Sequence, residues 1–168
     1  MTTKVFIEKL NKTITIEGQA LIIDFFITFS RFECALKASN FVNGDEDRVT
    51  ANWDTFIANI RPDFNKNINA QLTQAVDYLI QQPPKIQMID NGQLGWRNRN
   101  FNDLQEINRL SLSIRDIRNN LFHGGKFNGN YQEDISRNFI LLKNSMIILN
   151  EWLNLNEQVK HNFLQPIS

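Results

Sequence analysis

Arg115-Asp116-Ile117-Arg118-Asn119-Asn120-Leu121-Phe122-His123-Gly124-Gly125-Lys126 is the stretch on which the reading of this chain turns. It holds one of only two histidines in 168 residues, five positions after an arginine, and two glycines follow at once. Glycine readily takes the left-handed conformation that ends helices, so the pair predicts a helix C-terminus. Upstream, Leu104, Ile107, Leu110, Ile114, Ile117 and Leu121 recur every three or four residues. That spacing predicts one core-facing helix starting near Phe101-Asn102-Asp103. At about 100° per residue the apolar stripe stays within about 60° of Ile114. Arg118 falls at its margin, and Arg115, Asn119 and His123 form an i, i+4, i+8 row beside it.

Working outward, Leu21, Phe25, Phe29, Phe32 and Leu36 predict a helix from about Glu17 to Phe41, ended by Asn43-Gly44-Asp45. A shorter helix opens at Asp47 or Thr50, runs through Trp53, Phe56, Ile57 and Ile60, and stops near Arg61-Pro62. A third spans Asn65 to about Gln81 and is stopped by Pro83-Pro84. Between residues 85 and 96, Ile86-Gln87-Met88-Ile89 alternates weakly around the turn chemistry of Asp90-Asn91-Gly92, which predicts a small β-hairpin or an ordered loop. A final helix runs from about Gln132 to Asn156. Its apolar face is wide enough, with Ile140, Ile147, Ile148 and Trp152, to place part of it against another subunit. The first fifteen residues read as a short helix or an irregular lead-in. Long helices without a strand series indicate an all-α bundle.

The bulk numbers narrow the function classes. The length suits one domain with its own core. Eighteen basic residues balance eighteen acidic ones, which argues against an indiscriminate electrostatic nucleic-acid binder and leaves room for a local basic site. Between Arg97 and Lys126 there are six Lys/Arg and three Asp/Glu. The single cysteine, Cys34, rules out an intrachain disulfide or a cysteine-built zinc site, and its expected role is a buried helix residue. The N-terminus lacks the apolar region of a signal peptide, and the apolar run from Ala20 to Phe29 is too short to span a bilayer. The chain reads as cytoplasmic and soluble. His161 lies in a polar tail and is expected to be solvated.

A histidine near neutral pKa beside an arginine suits metal-free cleavage of RNA. Imidazole can take the 2′-hydroxyl proton, and guanidinium can neutralise charge building on the phosphate oxygens. Asn119 can orient the imidazole or bind a phosphate oxygen. Spacing alone is equally met by a helix-end histidine satisfying the last carbonyls, with Arg118 paired to Asp116 or Glu33.

The residues themselves add to the spacing. Arg118-Asn119-Asn120-Leu121-Phe122-His123-Gly124 resembles the R-N-x-x-x-H(-G) motif of the HEPN superfamily, and it falls at the end of the penultimate long helix, where that family carries it. Phe29-Ser30-Arg31-Phe32-Glu33-Cys34-Ala35-Leu36-Lys37 looks like the first long helix of some stand-alone bacterial HEPN proteins. The likeness in sequence is confined to these two segments, while the helical arrangement covers most of the chain.

The resemblance implies a single HEPN-like domain over residues 1–168, an antiparallel bundle of four to five main helices with the small hairpin or loop near residues 85–96. It further implies a homodimer that brings the Arg/His pairs of two subunits into one composite cleft. The activity implied is metal-independent endoribonuclease, as a toxin or phage-defence effector, with RNA as substrate and an antitoxin protein as a further partner. No cofactor, metal or membrane is expected. Arg118, Asn119 and His123 carry over as the catalytic set, and Arg115, Lys126, Glu33 and Arg31 as substrate-binding candidates. Arg31 and Glu33 are two residues apart on one helix and face different ways, so an ion pair is the alternative use of each. The superfamily also includes non-catalytic members, so a module that only binds RNA, a nucleotide or a partner protein is the competing reading.

Overall fold

A computed structural model describes residues 2–122 and 135–166. The chain is mostly helical, with two small antiparallel sheets. Helix α1 (Thr2–Thr13) leads into α2 (Ile16–Ala38), then a hairpin of β1 (Val42–Gly44) and β2 (Val49–Ala51). Helices α3 (Trp53–Ile60) and α4 (Ala70–Gln81) follow, and a second hairpin of β3 (Lys85–Asp90) and β4 (Gln93–Asn98) leads to α5 (Glu106–Phe122). The last helices are α6 (Ile135–Asn154) and α7 (Glu157–Phe163).

Short polar side chains decide where several of these helices begin. Thr15 Oγ1 accepts from Gly18 N at 3.1 Å ahead of α2, and Asn52 Oδ1 accepts from Thr55 N at 3.1 Å ahead of α3. Asn69 does the same for Leu72 N at 2.8 Å, and Asn156 for Val159 N at 2.9 Å. Each bond satisfies a first-turn N–H that lacks an intrahelical partner, worth about 1 kcal/mol per cap. Three of the scattered asparagines, Asn52, Asn69 and Asn156, therefore mark helix starts.

The core lies where α2 meets α3 to α7. Phe25, Phe29, Phe32 and Leu36 form the buried stripe of α2, against Trp53 and Phe56 of α3 and Leu72, Val76 and Leu79 of α4. Ile107, Leu110, Ile114 and Ile117 of α5 join them, with Leu142, Leu149 and Trp152 of α6 and Val159 of α7. The Trp53 indole stacks between Phe29 (centroids 5.3 Å) and Phe32 (5.2 Å).

Several expectations shift. The α2 helix stops at Ala38, because Asn40 takes a left-handed φ of 63° and turns the chain into a β-hairpin that periodicity did not signal. The α3 helix starts at Trp53 behind the Asn52 cap, after both Asp47 and Thr50. The third helix begins at Ala70, preceded by a 3-10 turn over Lys66–Ile68. The α5 helix starts at Glu106, since Asp103 sits at φ 57°, so Leu104 drops out of the core stripe and is 41% exposed. The anticipated hairpin over residues 85–96 is β3–β4, with Asn91 (φ 47°) and Gly92 (φ 78°) as the two left-handed residues of its turn, the conformation an Asn-Gly pair favours.

The anticipated last helix is α6, which ends at Asn154, and a further helix that was not anticipated, α7, follows Leu155-Asn156 with His161 exposed on it. Within the wide face of α6, Ile148 and Trp152 are fully buried inside the chain itself, while Ile140 is 41% exposed. Cys34 is exposed, because it faces away from the Phe25-Phe29-Phe32 stripe. Among the described residues no single helix is long and apolar enough to cross a membrane.

Candidate functional site

The polar flank of α5 faces a cleft rather than open solvent. The cleft holds about 470 Å³ and is bounded on one side by Arg115, Arg118 and Asn119 of α5. Its lining is completed by Glu33 and Lys37 of α2, by Asn43, Arg48 and Thr50 of the β1–β2 hairpin, and by the aromatic rings of Phe29 and Trp53. Pockets that bind small ligands run about 300–1,000 Å³.

The side chains are held by identifiable contacts. The Arg118 guanidinium lies over the Phe29 ring, 5.6 Å from its centroid, and its Nη1 donates to Asn119 Oδ1 at 3.1 Å. Stacking on an aromatic face restrains the planar group while leaving its in-plane N–H donors usable. The Trp53 indole Nε1 donates to Glu33 Oε1 at 3.0 Å and restrains the carboxylate at the cleft. Arg115 Nη1 stands 3.7 Å from Asp54 Oδ1. Asp54 keeps 86% of its side chain in solvent, so that pairing constrains Arg115 weakly.

Of the two acidic neighbours that sequence offered Arg118, Asp116 is engaged elsewhere. Asp116 faces the opposite hairpin, where both its oxygens accept from Arg99 (Nε to Oδ2 and Nη2 to Oδ1, each 2.6 Å). That fork raises the Arg99 pKa above its usual value, chiefly through the hydrogen bonds to Asp116 and against the cost of burial. On the same side, Asn120 Nδ2 donates to the Lys85 carbonyl at 2.7 Å. Similarly, Glu106 and then Asp77 hold Lys66 above its ordinary pKa by hydrogen bonds, well away from the cleft.

Of the residues singled out from sequence, Arg115, Arg118, Asn119 and Glu33 come together around this one cleft. Arg31 does not line it. Its guanidinium turns the other way on α2 and donates to the carbonyls of Asn162, Phe163 and Gln165, closing the end of α7. It serves as a C-terminal helix cap, neutralising carbonyls that α7 leaves unpaired. His123 and Lys126, with the Gly124-Gly125 pair, lie outside the described residues. Sequence reasoning did not find Lys37, Asn43 and Arg48, which the unforeseen hairpin and the last turn of α2 bring to the cleft. Lys37 had a local signal, lying one turn after Glu33 on the same face. Among the described residues no three His, Cys, Asp or Glu side chains are grouped to share a metal ion.

The arrangement can grip an anion. Four basic side chains and one acidic one line a concavity in a chain of zero net charge. No family model, curated protein or solved structure matches the chain.

Proposed function

We propose that this protein is a HEPN-type, metal-independent endoribonuclease, acting as a toxin or phage-defence effector. The observation that carries the reading is the meeting of Arg115, Arg118 and Asn119 with Glu33 in one cationic cleft, on the turn of α5 that leads directly into His123. RNA phosphates are the anions this chemistry suits. Arg118, stacked on Phe29, neutralises the charge on the non-bridging oxygens as the transition state forms. His123 takes the 2′-hydroxyl proton, the 2′-oxygen attacks phosphorus, and the 5′-oxygen departs. The products are a 2′,3′-cyclic phosphate and a 5′-hydroxyl.

The departing oxygen needs a proton, and a second imidazolium supplies it. A two-fold dimer provides that group as the partner subunit's His123. The outer face of α2 suits such a partner: Ile23, Phe26 and Ile27 are 56%, 47% and 54% exposed. Phe26 lies three and seven residues before Phe29 and Glu33, so a second copy seated there borders the cleft. An antitoxin protein is a further expected partner.

The test is cleavage of single-stranded RNA in EDTA by the wild type, His123→Ala and Arg118→Ala, with dimer formation followed in Ile23→Asp/Ile27→Asp. Loss of scission in each of the three variants supports the proposal. Equal cleavage by wild type and His123→Ala removes it. RNA binding by the wild-type dimer without any scission replaces it with the binding-module reading.

A further inference from the structure

The cleft lining carries two cations from outside α5 that the cleavage chemistry leaves unused. Lys37 lies one turn beyond Glu33 on α2, and Arg48 ends the β1–β2 turn; both line the cleft and both are exposed. Neither side chain takes part in an ion pair or a hydrogen bond among the described residues. Other cations of the chain are committed to the fold: Arg99 to Asp116, Lys66 to Asp77 and Glu106, Arg31 and Arg137 to backbone carbonyls.

The hairpin that presents Arg48 contributes little to the core. Five of its six strand residues are exposed, Val42 and Val49 among them at 41% and 49%. Yet its turn is firmly built. Asp45 Oδ1 accepts from Asp47 N at 3.0 Å and from Arg48 N at 3.1 Å, and Asp45 N donates to Arg48 O at 3.1 Å. Asn52 Nδ2 donates to Asn43 Oδ1 at 2.6 Å, tying the strand to the α3 cap. Gly44 sits at φ +128°, and any side chain there would overlap the Arg48 carbonyl. A hydrogen-bonded turn that buries almost nothing and brings an arginine to the cleft is explained by what the cleft holds.

We propose that the β1–β2 hairpin is a phosphate-binding arm, on which Arg48, with Lys37 beside it, grips backbone phosphates of single-stranded RNA flanking the phosphate held by Arg118. The inference rests on the RNA reading of the cleft. Cations from α2, the hairpin and α5 lining one cleft suit a single strand laid along it, as in other grooves that track one backbone. An A-form duplex offers a wide shallow face instead. The arm sets affinity and register, while the chemical step belongs to α5.

The test uses the full chain with His123→Ala, so that RNA stays intact, and a fluorescein-labelled single-stranded RNA of about twelve nucleotides. Anisotropy titrations run from about 50 to 200 mM KCl, because each phosphate contact on a single strand adds about 0.7 to the log–log salt slope. Adding Lys37→Gln and Arg48→Gln is expected to flatten that slope by about 1.4, with melting curves unchanged. In the His123-intact protein the same pair shifts the loss of cleavage onto KM. An unchanged slope and affinity overturns the arm and leaves the ribonuclease reading standing. A flattened slope in a protein whose wild type never cuts RNA upholds the arm and removes the ribonuclease reading. Equal binding of the duplex form, or no binding of RNA at all, overturns the arm.

Discussion

Helix α5 has two polar flanks, and they are used in opposite ways. Toward the β3–β4 hairpin, Asp116 is 5% and Asn120 8% exposed, and they bond Arg99 and the Lys85 carbonyl respectively. Toward the β1–β2 hairpin, Arg115, Arg118 and Asn119 border a cleft of about 470 Å³. One flank is buried and turned to protein partners; the other borders a cleft open to a ligand. A buried charge without its partner is costly, which is why the first flank is built as a forked ion pair. The second flank tolerates hydrated cations because the cleft is open to water. The difference teaches that, on this helix, burial separates the side chains that build the fold from those that meet a ligand.

The largest expected effect tests the open flank. Arg118→Ala should lower kcat/KM for RNA cleavage by about 10²–10³, as loss of a transition-state donor does, with little change in urea unfolding. Next is the closed flank. Asp116→Ala should destabilise by about 2–3 kcal/mol in urea titrations, below the range for a fully buried pair because Arg99 keeps 29% of its side chain in solvent. Residual activity of the folded fraction should match wild type. If it falls as far as in Arg118→Ala, the two flanks are not separate.

The hairpins give the third comparison. Gly44→Ala places a side chain against the Arg48 carbonyl and should cost about 1–3 kcal/mol locally, read as weaker RNA binding with a small loss of global stability. Gly92 has open space around its missing side chain, so Gly92→Ala meets only the left-handed strain and should leave RNA binding unchanged. The smallest effect belongs to Asn120→Ala, which removes the bond to Lys85 and should cost about 1 kcal/mol in the same urea assay.

How legible these features were in the sequence follows from their physics. The stripes of α2 and α5 were plain, because burying one face of a long helix imposes a 3.6-residue period on apolar residues. The β3–β4 hairpin was legible through Asn91-Gly92, a pair suited to two left-handed residues in succession. Its counterpart was silent. Strands of three residues that bury almost nothing leave no alternation, and the acidic run Asp45-Glu46-Asp47 reads as loop. Losing that hairpin meant losing Arg48 and Asn43 from the site, since neither is near α5 in sequence.

The α7 helix was hidden for a related reason: Val159 is its single buried residue, and its start is marked only by the Asn156 cap and Glu157. Arg31 and Glu33 were read correctly as facing different ways, but which of them faced the cleft depended on where α7 packs. The α5 triplet Arg115, Arg118 and Asn119 was legible because all three sit on one helix with fixed angular spacing.

The Trp53 indole connects these observations to an optical signal. It is 4% exposed, clamped between Phe29 and Phe32, and its N–H is the donor to the Glu33 carboxylate inside the cleft. Trp53 is one of three tryptophans, and the other two, Trp96 and Trp152, do not line the cleft. A ligand that draws Glu33 away, or a Glu33→Gln change that removes its charge, alters the field on a largely buried chromophore at the edge of the cleft. With Trp96 and Trp152 replaced by phenylalanine, the emission of Trp53 becomes an intrinsic gauge of cleft occupancy, needing no label on the RNA.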